Sequence, residues 1–194
     1  MKEVLQIIKE YKEIGNTEDL VLDDTKVEHF TPELKHEMEQ LAELAYLSMN
    51  NCGLKSLNHF PALKNLITLE LSENDFPARE LSHLKDLAGL RSLDLDCIKI
   101  DSLHQLEPLK ELKNLQRLEI NDCEFVEEPA NREKIFKLLP QLEVLNGEDK
   151  EGNPVDYSDE EEFSDEEGSD EEEEDESEED EEGSDEEEED EESD

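Results

Sequence analysis

No lysine or arginine follows Lys150 in this chain of 194 residues, although 18 lie at or before it. Of the 61 acidic residues, 29 fall between Asp156 and Asp194, so the formal charge of −43 divides into −14 before Asp156 and −29 from there on. A polyanion repels phosphates, which disfavours direct binding to nucleic acid. Long apolar runs are also missing. The first residues, M-K-E-V-L-Q-I-I-K-E-Y-K-E-I, interleave charge with apolar side chains. They read as neither a signal peptide nor a membrane span, and a soluble intracellular protein without a membrane partner is expected. Cysteine is scarce: Cys52, Cys97 and Cys123 are too few and too scattered for a disulfide framework, and no CxxC pair suggests zinc. A reducing compartment is expected. Glycine-rich phosphate loops, nucleophile elbows and zinc signatures are absent. His29, His36, His59, His83 and His104 fall on separate segments without paired spacing and read as surface residues. The acidic runs lack the spaced ligands and central glycine of a calcium loop. No catalytic residue, metal or cofactor is assigned, and no enzymatic activity is expected.

What the chain does have is leucine at fixed spacing. Leu66 to Phe76 reads L-I-T-L-E-L-S-E-N-D-F, which meets the pattern LxxLxLxxNxL of a leucine-rich repeat. Strand side chains alternate, so Leu69 and Leu71 point inward while Thr68, Glu70 and Ser72 point outward. Asn74 turns the chain off the strand, and its amide can hydrogen-bond backbone groups that the turn leaves unpaired. Further copies are Leu20, Leu22, Thr25, Val27; Leu44, Leu47, Met49, Cys52, Leu54; Leu90, Leu93, Leu95, Ile98, Ile100; and Leu115, Leu118, Ile120, Cys123, Phe125. The Asn position therefore holds Thr25, Cys52, Ile98 and Cys123 in these copies, and a looser or water-bridged turn is expected at Ile98, which cannot form the amide bond. The strand leucines Leu20, Leu47, Leu69, Leu93, Leu118 and Leu145 follow one another at intervals of 27, 22, 24, 25 and 27 residues. Between strands, Leu81, Leu84, Leu87, Leu90 and then Leu103, Leu106, Leu109, Leu112, Leu115 step by three, which suits tight helical turns.

An open stack of repeats leaves bare apolar ends that need lids. Val4, Leu5, Ile8, Tyr11 and Ile14 recur at three- and four-residue spacing and make an amphipathic helix ending near Gly15, read as a cap on the first repeat in preference to a partner-binding helix. At the other end, Pro129 is placed to open a helix with Ile135, Phe136 and Leu139 on its apolar face, and Pro140 ends it. The fold class expected is α/β: a right-handed leucine-rich repeat solenoid with its parallel sheet on the concave face and a helical, irregular convex side. Residues 1–155 form this domain, with an N-terminal helical cap over 1–15 and a C-terminal cap over 127–150. Residues 156–194 carry too few apolar groups to offset chain entropy and are expected to be a disordered polyacidic tail. Within the tail, Ser158, Ser164, Ser169, Ser177 and Ser184 each have an acid three residues on, the spacing read by acidophilic kinases of the casein kinase type.

The stretch P-A-N-R-E-K-I-F-K-L-L-P-Q-L-E-V-L-N-G-E-D from Pro129, together with E-P-L-K-E-L-K-N-L from Glu107 and the acidic tail, resembles the acidic leucine-rich nuclear phosphoprotein 32 family. Three features depart from the family: Asn146 stands where Asp is usual, Asn131 replaces a Tyr, and the basic cluster often found in or near the tail is missing. The resemblance implies a histone-binding chaperone or chromatin regulator, found in the nucleus and cytoplasm. It also implies, as an alternative, a protein phosphatase 2A inhibitor or signalling adaptor, with roles in RNA export or apoptosis signalling. A ribonucleoprotein scaffold is a further alternative, because a related repeat-and-cap domain occurs in a small nuclear ribonucleoprotein.

The residues themselves point to one binding surface, the strand face opposite the leucines. In stacked order it presents Asp19, Val21, Asp23; Tyr46, Ser48, Asn50; Thr68, Glu70, Ser72; Ser92, Asp94, Asp96; and Arg117, Glu119, Asn121. Acids outnumber Arg117 on it, which favours a basic protein partner, core histones on the family resemblance, recruited by a monomer.

Overall fold

The computed structural model describes residues 2–15 and 18–155. The stretch from Asp156, with Ser158, Ser164, Ser169, Ser177 and Ser184, lies outside the described residues. Helix α1 (Lys2–Ile14) buries Val4 and Ile8 but leaves Ile14, expected on its apolar face, exposed in the last turn, and stops where Gly15 turns to φ +78°. It is joined to helix α2 (Pro32–Glu39) by Lys12 Nζ, which donates to Glu37 Oε2 at 2.7 Å and Gln40 Oε1 at 2.9 Å. The start of α2 is fixed by Thr31, whose hydroxyl accepts from Leu34 N at 3.1 Å, and by Pro32 in its first turn.

Strands β1 (Asp19–Val21), β2 (Tyr46–Ser48), β3 (Thr68–Glu70), β4 (Ser92–Asp94), β5 (Arg117–Glu119) and β6 (Val144–Leu145) form one parallel sheet in that order. Register is strict: Leu20, Leu47, Leu69, Leu93, Leu118 and Leu145 are paired across adjacent strands and fully buried. A second buried column follows, of Leu22, Met49, Leu71, Leu95 and Ile120. This is the leucine-rich repeat solenoid. The steps of three become 3₁₀ helices over Ala78–Leu84 and Leu103–Glu111, the conformation in which residues three apart eclipse.

Each turn after a strand places one residue in the left-handed region: Asp24, Asn51, Glu73, Cys97, Asp122 and Asn146. That geometry aims the backbone N–H at the next repeat, so Asn51 N donates to Ser72 O at 3.0 Å and Glu73 N to Asp96 O at 3.0 Å. Asn74 is buried and satisfies five groups. It accepts from Cys52 N and Leu54 N at 3.1 and 2.9 Å, and donates to Met49 O, Leu71 O and Ser72 O. Where cysteine replaces asparagine, the thiol takes over part of this work: Cys52 Sγ donates to Leu22 O at 3.1 Å and Cys123 Sγ to Ile98 O at 3.0 Å. Burial pushes the Cys52 thiol up to about 11 and raises that of Cys123, so both stay protonated and unreactive. The turn at Ile98 is not loose as its sequence suggests. Ile98 is buried and its N–H closes the turn on Leu95 O at 3.1 Å.

The far end is covered by two helices, α3 (Glu124–Glu127) and α4 (Pro129–Leu138). The first was not foreseen, and Phe125, read from the sequence as the last apolar position of its repeat, is half-buried within it. Ile135 and Leu139 are fully buried, but Phe136 is only half-buried, with the Arg132 guanidinium 5.2 Å from its ring centroid. Arg132 also donates to Leu145 O and Glu148 O at 3.0 Å each, tying α4 to the end of β6.

The acidic face of the sheet

The side chains opposite the leucines are not a row of independent charges. Asp23 Oδ1 accepts from Ser48 Oγ at 2.6 Å and Asn50 N at 2.8 Å. Glu70 accepts from three donors of the preceding repeat: Tyr46 Oη at 2.8 Å, Asn50 Nδ2 at 2.9 Å and Ser48 Oγ at 3.2 Å. Asn50 Oδ1 then accepts from Ser72 N at 2.8 Å, and Ser72 Oγ donates to Asp94 Oδ1 at 2.5 Å. Asp94 Oδ1 and Ser72 Oγ both accept from Asp96 N, while Asp96 accepts from Asn121 N and Asn121 Nδ2 at 2.6 and 3.0 Å. Glu119 closes the series by accepting from Gly147 N at 3.2 Å and Asn121 Nδ2 at 3.4 Å. The bonds run from Asp23, just after β1, to Gly147, just after β6.

This arrangement follows from register. In-register pairing places Glu70 opposite Asp94 and Asp94 opposite Glu119, with like charges on strands about 4.8 Å apart. Such a column is tolerable because each carboxylate accepts from hydroxyl or amide donors alongside it. Ser48 and Ser72 are buried among the acids rather than presented outward, which differs from the simple alternation of the sequence. The carboxylates of Asp23, Glu70, Asp94, Asp96 and Glu119 are brought together. Asp19 and Val21 are exposed on edge strand β1, Thr68 and Ser92 are half-buried beside the acids, and Arg117 is the cation of this face. Burial holds the Asp94 carboxyl above its usual range despite the Ser72 and Asp96 donors. Tyr46 is pushed up to about 12 by burial and by its bond to Glu70, so it remains a neutral donor. Sequence alternation could not show the Tyr46–Glu70 and Ser48–Asp23 bonds, which join residues 24 and 25 positions apart. Only the register brings them together.

The five histidines are exposed, and among the described residues no group of three His, Cys, Asp or Glu side chains could hold a metal ion. No described helix is long and apolar enough to cross a membrane.

The capped repeats and their acidic face define a leucine-rich repeat protein of the protein-binding class. The curated relatives of the sequence carry the name of the acidic leucine-rich nuclear phosphoprotein 32 family, the family that the sequence resembles. The chain is 39% identical over 127 residues to family member A of Drosophila melanogaster, covering 66% of this chain and 46% of that protein. It is 30% identical over 145 residues to a family-related protein of Plasmodium falciparum, covering 74% of this chain and 52% of the relative. The chain thus spans about half the length of these curated relatives. No family profile matches it. Among solved structures, it is similar in fold to a chain of the Drosophila melanogaster SNF/U2A′ complex, with TM-score 0.55 and 21% identity, covering 72% of this chain and 75% of that one. It is likewise similar to internalin C2 of Listeria monocytogenes, with TM-score 0.54 and 19% identity, covering 73% and 62%. At these identities the likeness is one of fold.

Proposed function

We propose that this protein is a nuclear histone-binding factor whose acidic sheet face grips basic segments of core histones. The column Glu70, Asp94 and Glu119 carries this reading: three carboxylates in register, each already oriented by neighbouring donors. A carboxylate held in place loses little freedom when an Arg or Lys docks, and oxygens with spare lone pairs accept its N–H groups. The names of the relatives support the nucleus as the site of action. The 29 acids from Asp156 onward add a long-range field of the same sign, felt over about 8 Å at physiological salt. In this division of labour the acidic stretch sets the rate of association and the sheet face sets selectivity.

Surface plasmon resonance against core histones and polylysine at several salt concentrations tests it. Removing residues 156–194 is expected to slow association and flatten its salt dependence while preserving the preference for histones. Replacing the face acids by amides (Glu70→Gln, Asp94→Asn, Asp96→Asn, Glu119→Gln) keeps their shape and one acceptor each. That variant is expected to associate fast but to lose the preference. If it discriminates as well as the unmodified protein, the sheet face is not the selective site.

A further inference from the structure

On the side of the leucine core opposite the sheet face, a groove of about 420 Å³ lies between the two 3₁₀ helices. Its shape follows from three residues per turn. In the first helix, Leu81 and Leu84 eclipse on the buried side, which leaves Arg79, Ser82 and Lys85 as one exposed column. In the second helix, Leu106 and Leu109 are buried, and Gln105, Pro108 and Glu111 form the facing column. His104 and Glu107 make the outer lip, where His104 Nδ1 lies 3.0 Å from Glu107 Oε2.

Among the described residues some lysines pair with carboxylates and others, such as Lys64 and Lys99, stand alone on the surface, whereas this groove sets two unpartnered cations on one wall. Lys12, Lys26, Lys35, Lys55 and Lys137 all pair with carboxylates. Among the described residues, the side chains of Arg79 and Lys85 have no hydrogen bond or ion pair, although 32 acids precede Asp156. Two free cations lie along one wall, with the Pro108 ring opposite and Glu107 engaged by His104.

We propose that this groove docks an extended acidic peptide segment of a partner protein, with an acid at each end and an apolar side chain between them. The spacing sets the pattern. Six residues at about 2 Å rise place Arg79 and Lys85 about 12 Å apart along the helix. In an extended peptide, residues i, i+2 and i+4 share a face and span about 13 Å. Acids at i and i+4 then meet Lys85 and Arg79, and an apolar residue at i+2 lies on Pro108 above Ser82. Glu111, on the far wall, accepts a peptide N–H and repels acids that enter in the wrong register. This site is independent of the histone-binding reading and selects the opposite charge.

The test is fluorescence anisotropy with the full chain and a labelled Ser-Glu-Ser-Leu-Ser-Glu-Ser peptide. Arg79→Ala and Lys85→Ala are each expected to weaken binding about tenfold, as the loss of one charge-assisted contact does. Ser82→Trp, which fills the groove without changing charge, is expected to abolish it, as is a peptide with Gln for both Glu residues. Lys64→Ala, which removes an exposed cation outside the groove, is expected to change nothing. Circular dichroism checks that each variant is folded. The proposal fails if the unmodified chain does not bind at about millimolar peptide, if Lys64→Ala weakens binding as much as Lys85→Ala, or if Ser82→Trp binds normally.

Discussion

Asn74 shows how much one residue holds in a repeat. Its truncation to Ala leaves the N–H groups of Cys52 and Leu54 buried without their acceptor. At about 1 to 3 kcal/mol for each orphaned group, Asn74→Ala is expected to cost about 2 to 6 kcal/mol, measured as a lowered urea midpoint. Asp94 predicts a gain in the other direction. Burial raises its carboxyl in the folded protein, so the folded state holds that proton more tightly than the unfolded chain. Stability is therefore lost as pH rises from the ordinary aspartate range through the folded value, and Asp94 is a liability at neutral pH. Asp94→Asn is expected to raise the urea midpoint at pH 7, with the difference vanishing below the ordinary aspartate value of about 3.9. The same reasoning applies to Tyr46, whose neutral phenol stabilises the fold below about pH 10 and whose contribution is lost between there and about 12. An ultraviolet titration of the protein, compared with Tyr46→Phe, is expected to lose a tyrosine transition near 12.

At the scale of elements, the cap and the tight approach of neighbouring returns are where stability concentrates. Ile135 is fully buried in α4, so Ile135→Ala is expected to cost about 2 to 5 kcal/mol in a urea melt. Phe136→Ala is expected to cost less, because the ring is half-exposed under Arg132. The sequence identified the cap's apolar face but ranked these two residues equally, since helical spacing alone does not say which side chain sits nearest the last strand. Gly89 was invisible for a similar reason. A Cβ there would meet Lys64 O at 2.9 Å and Leu66 O at 3.3 Å, both backbone atoms of the preceding repeat. Gly89→Ala is expected to push two repeats apart and lower the melting temperature. The strand leucines and the 3₁₀ returns were legible because their periods of two and three are local properties. The buried serines of the acidic face were not, because burial there depends on side chains from the next repeat. Helix α3 was missed because four residues are too few to show a period.

For the molecule as a whole, charge opposes compaction. The stretch before Asp156 carries a formal −14, and its like-charged column is held together on strands about 4.8 Å apart. Screening relieves part of that repulsion, so thermal melts are expected to shift upward as salt rises from low ionic strength to about 0.15 M, where the Debye length is about 8 Å. An unchanged or falling midpoint would mean that ion pairs such as Lys12–Glu37 outweigh the repulsion. The strict pairing of Leu20, Leu47, Leu69, Leu93, Leu118 and Leu145 across returns of unequal length also bears on how such a chain can diverge over generations. An α-helix links β1 to β2, 3₁₀ helices precede β4 and β5, and α-helices precede β6, yet the strand register never shifts. Residues gained or lost within a return are absorbed there. A single residue gained within Thr68–Glu70 would turn the carboxylates into the leucine core. Descendants of this sequence can therefore rewrite their helical side freely, and with it whatever that side recognises, while inheriting the acidic face almost unaltered.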